Sequence, residues 1–106
     1  MKVTILQQKL AEALAPMKKN LNKKKSEMIL SASGKKLQIS VYDKKLKATT
    51  SVEVDANVSG NEIGIKLPAL IFYNAVSTLP NQELLLTKDV DGLTLQHSTG
   101  KLTIRT

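Results

Sequence analysis

The sequence contains no cysteine among its 106 residues, and that one absence removes disulfide scaffolds, thiolate zinc sites and cysteine nucleophiles together. Aromatic residues are almost missing as well: there is no Trp, with two Tyr and one Phe making up 3% of the chain. The core is therefore expected to be aliphatic, and a base-stacking surface for single strands is nearly excluded. No apolar run approaches the ~18 residues that a membrane span requires. The N-terminal stretch lacks the basic, apolar, small-residue order of a secretory signal. These absences predict a soluble, cytoplasmic protein with no membrane partner.

What is present fits one domain with a real core: 42% apolar residues in a chain of ordinary domain length. Sixteen Lys+Arg stand against nine Asp+Glu, a net charge of +7. The surplus lies entirely in residues 1–55, which hold twelve Lys and five acids, whereas residues 56–106 balance four against four. Its densest stretch is Lys18 to Lys25, five lysines in eight positions with no acid. Such a block is either a solvated helix end or a phosphate-contacting patch, since clustered lysine releases counterions from a polyanion. Composition leaves both open.

Hydrophobic periodicity orders the chain. Val3 and Ile5 alternate with polar neighbours as a strand at 2–6. From Leu6 the period lengthens: Leu6, Leu10, Ala13, Leu14, Met17 and Leu21 form the apolar stripe of a helix, with Gln8, Lys9, Glu12 and Lys19 opposite. Pro16 should kink or end it near Ala15. Strands are then predicted at 28–33, 37–42 and 46–54, and residues 55–61 as a connection. The order begins again with Ile63, Ile65 and Leu67 as one strand. Pro68 follows at a position helices tolerate, and 69–79 is predicted helical with Phe72, Ala75, Val76 and Leu79 buried. Strands at 83–88, 93–97 and 101–105 complete the chain. The pattern is β-α-β-β-β twice, in pseudo-repeats 1–55 and 61–106. It predicts an α+β fold of antiparallel sheets with two helices packed on one side, the halves sharing one core.

Specific residues now meet that pattern. The opening K-V-T-I and K-L-A-E-A-L, I-L-S-A at 29–32 and L-x-I-x-V-Y-D at 37–43 resemble the bacterial DNA polymerase III beta subunit, the sliding clamp. So do K-L-P-A-L-I-F-Y-N-A-V-S-T-L-P at 66–80, D-G-L-T-L and S-T-G-K-L-T-I. The resemblance is to the clamp's first domain and runs through essentially the whole chain. It implies the processivity (DNA clamp) fold, with helices towards threaded duplex DNA, no cofactor and no catalysis. A family clamp carries three such domains per chain and closes as a dimer. The chain is thus expected to be either an N-terminal domain or a stand-alone relative that must assemble.

Carried over position by position, the resemblance implies that Lys9, Lys18, Lys19, Lys23, Lys24 and Lys25 contact duplex DNA without reading its sequence. The last strand implies a subunit boundary through Leu102 and Ile104, with Ile71 and Tyr73 beside them. Homo-oligomerisation through edge strands follows, with a DNA polymerase or clamp loader as further partners. Two departures stand out. Met28 replaces a proline usual after the first helix, and Leu70 and Ile71 stand where a basic residue often follows L-P-A. The alternative reading is an interaction module, an adaptor or modulator of the replication machinery that forms no DNA-encircling ring.

Other constellations carry less. Ser98-Thr99-Gly100-Lys101 lacks the upstream glycine and the following hydroxyl of a phosphate-binding loop, since Leu95 and Leu102 occupy those positions. His97, the one histidine, has no motif around it. Asp89 and Asp91 before Gly92 fit a hairpin turn better than a calcium loop, which needs a distal Glu. No metal site and no catalytic residues are predicted.

Overall fold

Among the described residues, period-two apolar patterning accounts for eight of nine strands and period 3.6 for two helices, in the order the sequence predicts; the ninth, short strand was not expected. A computed structural model describes residues 1–20, 27–43, 47–98 and 100–105, with the side chains of Lys19, Asn20 and Asp43 outside that description. The first half runs β1 (Lys2–Leu6), α1 (Gln7–Leu14), a 3-10 helix (Ala15–Asn20), β2 (Glu27–Ser33), β3 (Lys36–Asp43) and β4 (Ala48–Asp55). A short β5 (Asn57–Ser59) precedes the second half: β6 (Glu62–Pro68), α2 (Ala69–Thr78), β7 (Glu83–Lys88), β8 (Gly92–His97) and β9 (Gly100–Arg105).

The halves interlock. One sheet has the order β5-β1-β7-β8-β9 and the other β4-β3-β2-β6, all pairs antiparallel. Each sheet therefore joins three consecutive strands of one half to the first strand of the other: β1 crosses to β7, and β6 crosses to β2. Neither half can complete its sheet alone. The inward rows of both sheets and the buried faces of both helices meet in one core. Fully buried in it are Val3, Leu10, Leu14, Met17, Ile39, Phe72, Val76, Leu84 and Leu95. The aliphatic core expected from the scarcity of aromatics is what forms, with Phe72 as its largest side chain.

Pro16 acts as its ring chemistry requires: the α-helix stops at Leu14, and the chain tightens into the 3-10 turn. Three expectations need correction. Leu6 is not on the helix stripe; it ends β1 pointing away from the core and is 52% exposed. Residues 55–61 are not all connection, because 57–59 pair with β1 and cover its outer side. Ile63 does not share the inward row of Ile65 and Leu67. Opposite Ser31 the register slips, so that Ile63 and Gly64 together face one residue of β2. Gly64 supplies the bulge with a φ of +76°, a conformation that disfavours any side chain, and its N–H donates to Ser31 Oγ at 3.1 Å. The bulge turns Ile63 outward, where it is 79% exposed.

Candidate nucleic-acid interface and edge strands

The face that carries the predicted DNA contacts is built by α1, whose placement depends on the other half of the chain. Leu6, at the N-cap, has no side-chain oxygen to satisfy the first helical N–H groups. The connection between α2 and β7 supplies what is missing. The Gln7 N–H donates to the Gln82 carbonyl at 2.8 Å, and the Gln8 N–H donates to Asn81 Oδ1 at 3.3 Å. Asn81 Nδ2 returns a bond to Gln8 Oε1 at 3.0 Å. Gln7, buried, donates its Nε2 to the Val76 carbonyl at 2.7 Å and so ties α1 to the last turns of α2. Sequence reasoning missed this cap. The signal was a helix opening on two glutamines with Leu6 and not Ser, Thr, Asp or Asn directly ahead of them, which requires partners from elsewhere in the chain.

Held this way, α1 buries Leu10 and Leu14 and turns Gln8, Lys9 and Glu12 to solvent, with Gln8 Nε2 donating to Glu12 Oε1 at 3.3 Å. Lys18 is exposed on the 3-10 helix, two residues after Pro16. Lys19 lies in the same turn. Lys23, Lys24 and Lys25 fall outside the described residues. The structure thus places Lys9 and Lys18 on one continuous helical segment, both exposed to solvent.

Helix α2 contrasts with it. Its sequence, Ala69 to Thr78, contains no charged residue. Ala69, Phe72 and Val76 are buried, while Ile71 (56% exposed), Asn74, Ser77 and Thr78 face outward. Thr78 Oγ1 donates back to the Asn74 carbonyl at 3.0 Å. Tyr73 is half-buried against the core.

At the far end of the second sheet repeat, Leu102 and Ile104 share a face of β9 but differ in burial. Ile104 pairs with Leu93 inside the core, while Leu102, opposite the buried Leu95, remains 45% exposed at the edge. Of the four predicted interface residues, Leu102 and Ile71 are open to a partner; Ile104 is core. The β7–β8 turn is fixed by Asp89, whose Oδ1 accepts from the N–H groups of Asp91 at 2.9 Å and Gly92 at 3.1 Å. Those bonds make it a hairpin. Among the described residues no three His, Asp or Glu gather where a metal ion would sit, and no helix is long and apolar enough to cross a membrane.

Two interlocked β-α-β-β-β repeats, with paired helices and an edge strand at the end of each sheet, give the chain the fold of a clamp domain. Solved structures that share this fold include DNA polymerase III beta sliding clamps. The Caulobacter crescentus pol III beta superposes with a TM-score of 0.88 at 26% identity, covering 99% of this chain and 29% of that one. The beta subunit of DNA polymerase III from Pseudomonas aeruginosa gives 0.85 at 20% identity, over 99% and 30%. A Helicobacter pylori beta clamp bound to a DNA ligase peptide gives 0.87 at 19%, over 99% and 30%. The resemblance read from the sequence is thus matched in three dimensions along the whole chain, which spans under a third of these clamps. No family model matches the sequence. No curated protein matches it significantly.

Proposed function

We propose that the chain is a sliding-clamp domain of DNA replication, non-catalytic, that holds duplex DNA by its backbone and self-assembles through its edge strands as a processivity factor. The observation that carries this reading is the superposition on the Caulobacter clamp over 99% of the chain with a TM-score of 0.88. In this reading residues 1–106 act as one clamp-like unit, and Lys9 and Lys18, with Lys19 and Lys23–Lys25, supply exchangeable phosphate contacts. Leu102 and Ile71 lie at a subunit boundary. The action is topological: contacts to phosphates fix no register, so an enclosed duplex can slide. A polymerase or clamp loader is the expected further partner.

The test is the salt dependence of binding to duplex DNA together with DNA topology. With ~3–5 phosphate contacts, log affinity should fall against log salt with a slope of about −3 to −4.5. The chain should stay on closed circular DNA and run off a linear duplex. A slope near zero sinks DNA binding. Equal retention on both substrates sinks encirclement.

The charge-free α2 favours a second reading, a clamp-fold adaptor that binds a protein of the replication machinery and encloses nothing. An adaptor stays monomeric or dimeric in light scattering at micromolar concentration; a ring former assembles further.

A further inference from the structure

Of the four Asp in the chain, Asp91 alone is followed by glycine, and no Asn is. An aspartyl–glycyl link is among the least stable in a polypeptide. Glycine has no side chain to keep its own nitrogen from reaching the carboxyl carbon of the residue before it. The fold puts this link in the β7–β8 turn, with Asp91 exposed and Gly92 buried. Val90, just ahead of it, is 95% exposed.

Asp89 holds that link from both sides. Its Oδ1 accepts from the N–H groups of Asp91 at 2.9 Å and Gly92 at 3.1 Å, and its own N–H donates to the Gly92 carbonyl at 3.0 Å. The nitrogen that would attack Asp91 is thus the one whose hydrogen the Asp89 carboxylate binds. Attack requires that nitrogen to lose its proton, and a carboxylate at hydrogen-bond distance opposes the negative charge so formed. The next strand leaves no slack either. Gly92 pairs with Arg105 of β9, and a Cβ on it would lie 2.1 Å from the Ile104 carbonyl oxygen.

We infer that Asp91–Gly92 is a self-modification site, an isoaspartate-forming link that Asp89 guards. In the step it restrains, the Gly92 nitrogen bonds to the Asp91 carboxyl carbon. A carboxyl oxygen leaves as water, carrying the proton of that nitrogen and one from solvent, and a five-membered succinimide remains. Water then adds to the main-chain carbonyl of Asp91 and breaks its bond to the Gly92 nitrogen, so that the chain continues through the side chain. The water released is taken up again, and composition is unchanged. The main chain is now one carbon longer, beside a glycine that has no room to shift against Ile104. Rearrangement therefore parts β8 from β9 where Gly92 pairs with Arg105.

Peptide mapping that separates the two linkages, after long incubation of the 106-residue chain in warm neutral buffer, tests it. Folded wild type should gain isoaspartate at residue 91 about 10-fold or more slowly than the same chain in urea, and Asp89→Ala should lose most of that protection while folded, since the lost bonds are to a charged acceptor. Asp89→Asn keeps an acceptor oxygen without the charge and should fall between. Asp91→Glu should give no product, because its ring would need six members. Thermal melts check that each variant is folded. Folded Asp89→Ala rearranging at the wild-type rate would overturn the guard, as would Asp89→Asn at that rate if the alanine variant does not fold. Wild type rearranging equally fast folded and in urea would overturn it too. No isoaspartate even in urea would overturn the site itself.

Discussion

The two halves of this chain fold alike and present unlike surfaces. Both run strand, helix and three strands, and both bury an aliphatic inner row. Yet α1 and the turn after it carry Lys9, Lys18 and Lys19, while α2 carries no charge at all. β4 ends in two acids and β9 holds two bases. Where the halves agree, the residues are buried, since the core accepts only shapes that fill it. Where they differ, the residues face solvent. The repeated order of elements, read through its buried positions, reports the fold; read through its exposed ones, it sets the two helices and the two terminal strands apart by charge.

The sharpest way to break the comparison is to ask whether the halves are separable. Phe72→Ala empties the largest core position, on α2, and should cost about 3–5 kcal/mol. Leu14→Ala on α1 should cost about 2–5 kcal/mol. Because β1 lies in the sheet of β7 and β6 in the sheet of β2, each variant should unfold in one transition, followed by urea melts at two wavelengths. Two separate transitions would show that the interlock does not couple the halves.

Glycine sharpens the same contrast at smaller scale. A Cβ on Gly92 would lie 2.1 Å from the Ile104 carbonyl oxygen, so Gly92→Ala must push β9 away and should cost about 1–3 kcal/mol. Gly64 has open space around its Cβ position, and Gly64→Ala meets only the penalty of a positive φ, about 1–2 kcal/mol. A thermal melt that ranks the two in the reverse order would show that the bulge, not the β8–β9 approach, is the tighter constraint. Asn81→Ala removes the cross-half cap of α1 and should cost about 1 kcal/mol, with Asn74→Ala on exposed α2 as a near-neutral control.

How much of this was legible beforehand follows the same line between buried and exposed. Both helices and eight of the nine strands follow from apolar spacing, because burial in one core imposes period 2 or 3.6 along the chain. β5 was not legible: residues 57–59 form a strand only because β1 offers them an edge, which is a tertiary event. Leu6 was misplaced because a strand passes straight into a helix there, and either period can claim the residue at the join. Ile63 keeps the right spacing but the wrong face, since a one-residue bulge reverses alternation without changing composition; Gly64 inside the strand was its only sign. For the candidate site, Lys9 and Lys18 are exposed as the sequence implied. The cap that orients them comes from 73 residues away, and its one local sign is a helix that opens on Gln7 and Gln8 with no capping residue directly ahead.

The smallest expected change in stability tests the functional half of the comparison. Lys9→Ala and Lys18→Ala remove exposed side chains, and each should leave the melting curve within about 0.5 kcal/mol of the parent. Their effect should appear only on DNA. Each lysine that neutralises a phosphate releases its share of counterions, so each substitution should flatten the log–log salt slope by about 1, uniformly across duplex sequences. Asn74→Ala and Ser77→Ala, equally exposed on α2, should leave that slope unchanged, because neutral side chains displace no counterions. A slope that responds to Ser77 as strongly as to Lys9 would mean that α2 reaches the duplex with its backbone or hydroxyls, and the division of tasks between the helices would fall. A slope that responds to Lys9 and Lys18 alone would place the electrostatic grip on α1 and the turn after it, with α2 contributing only its buried face.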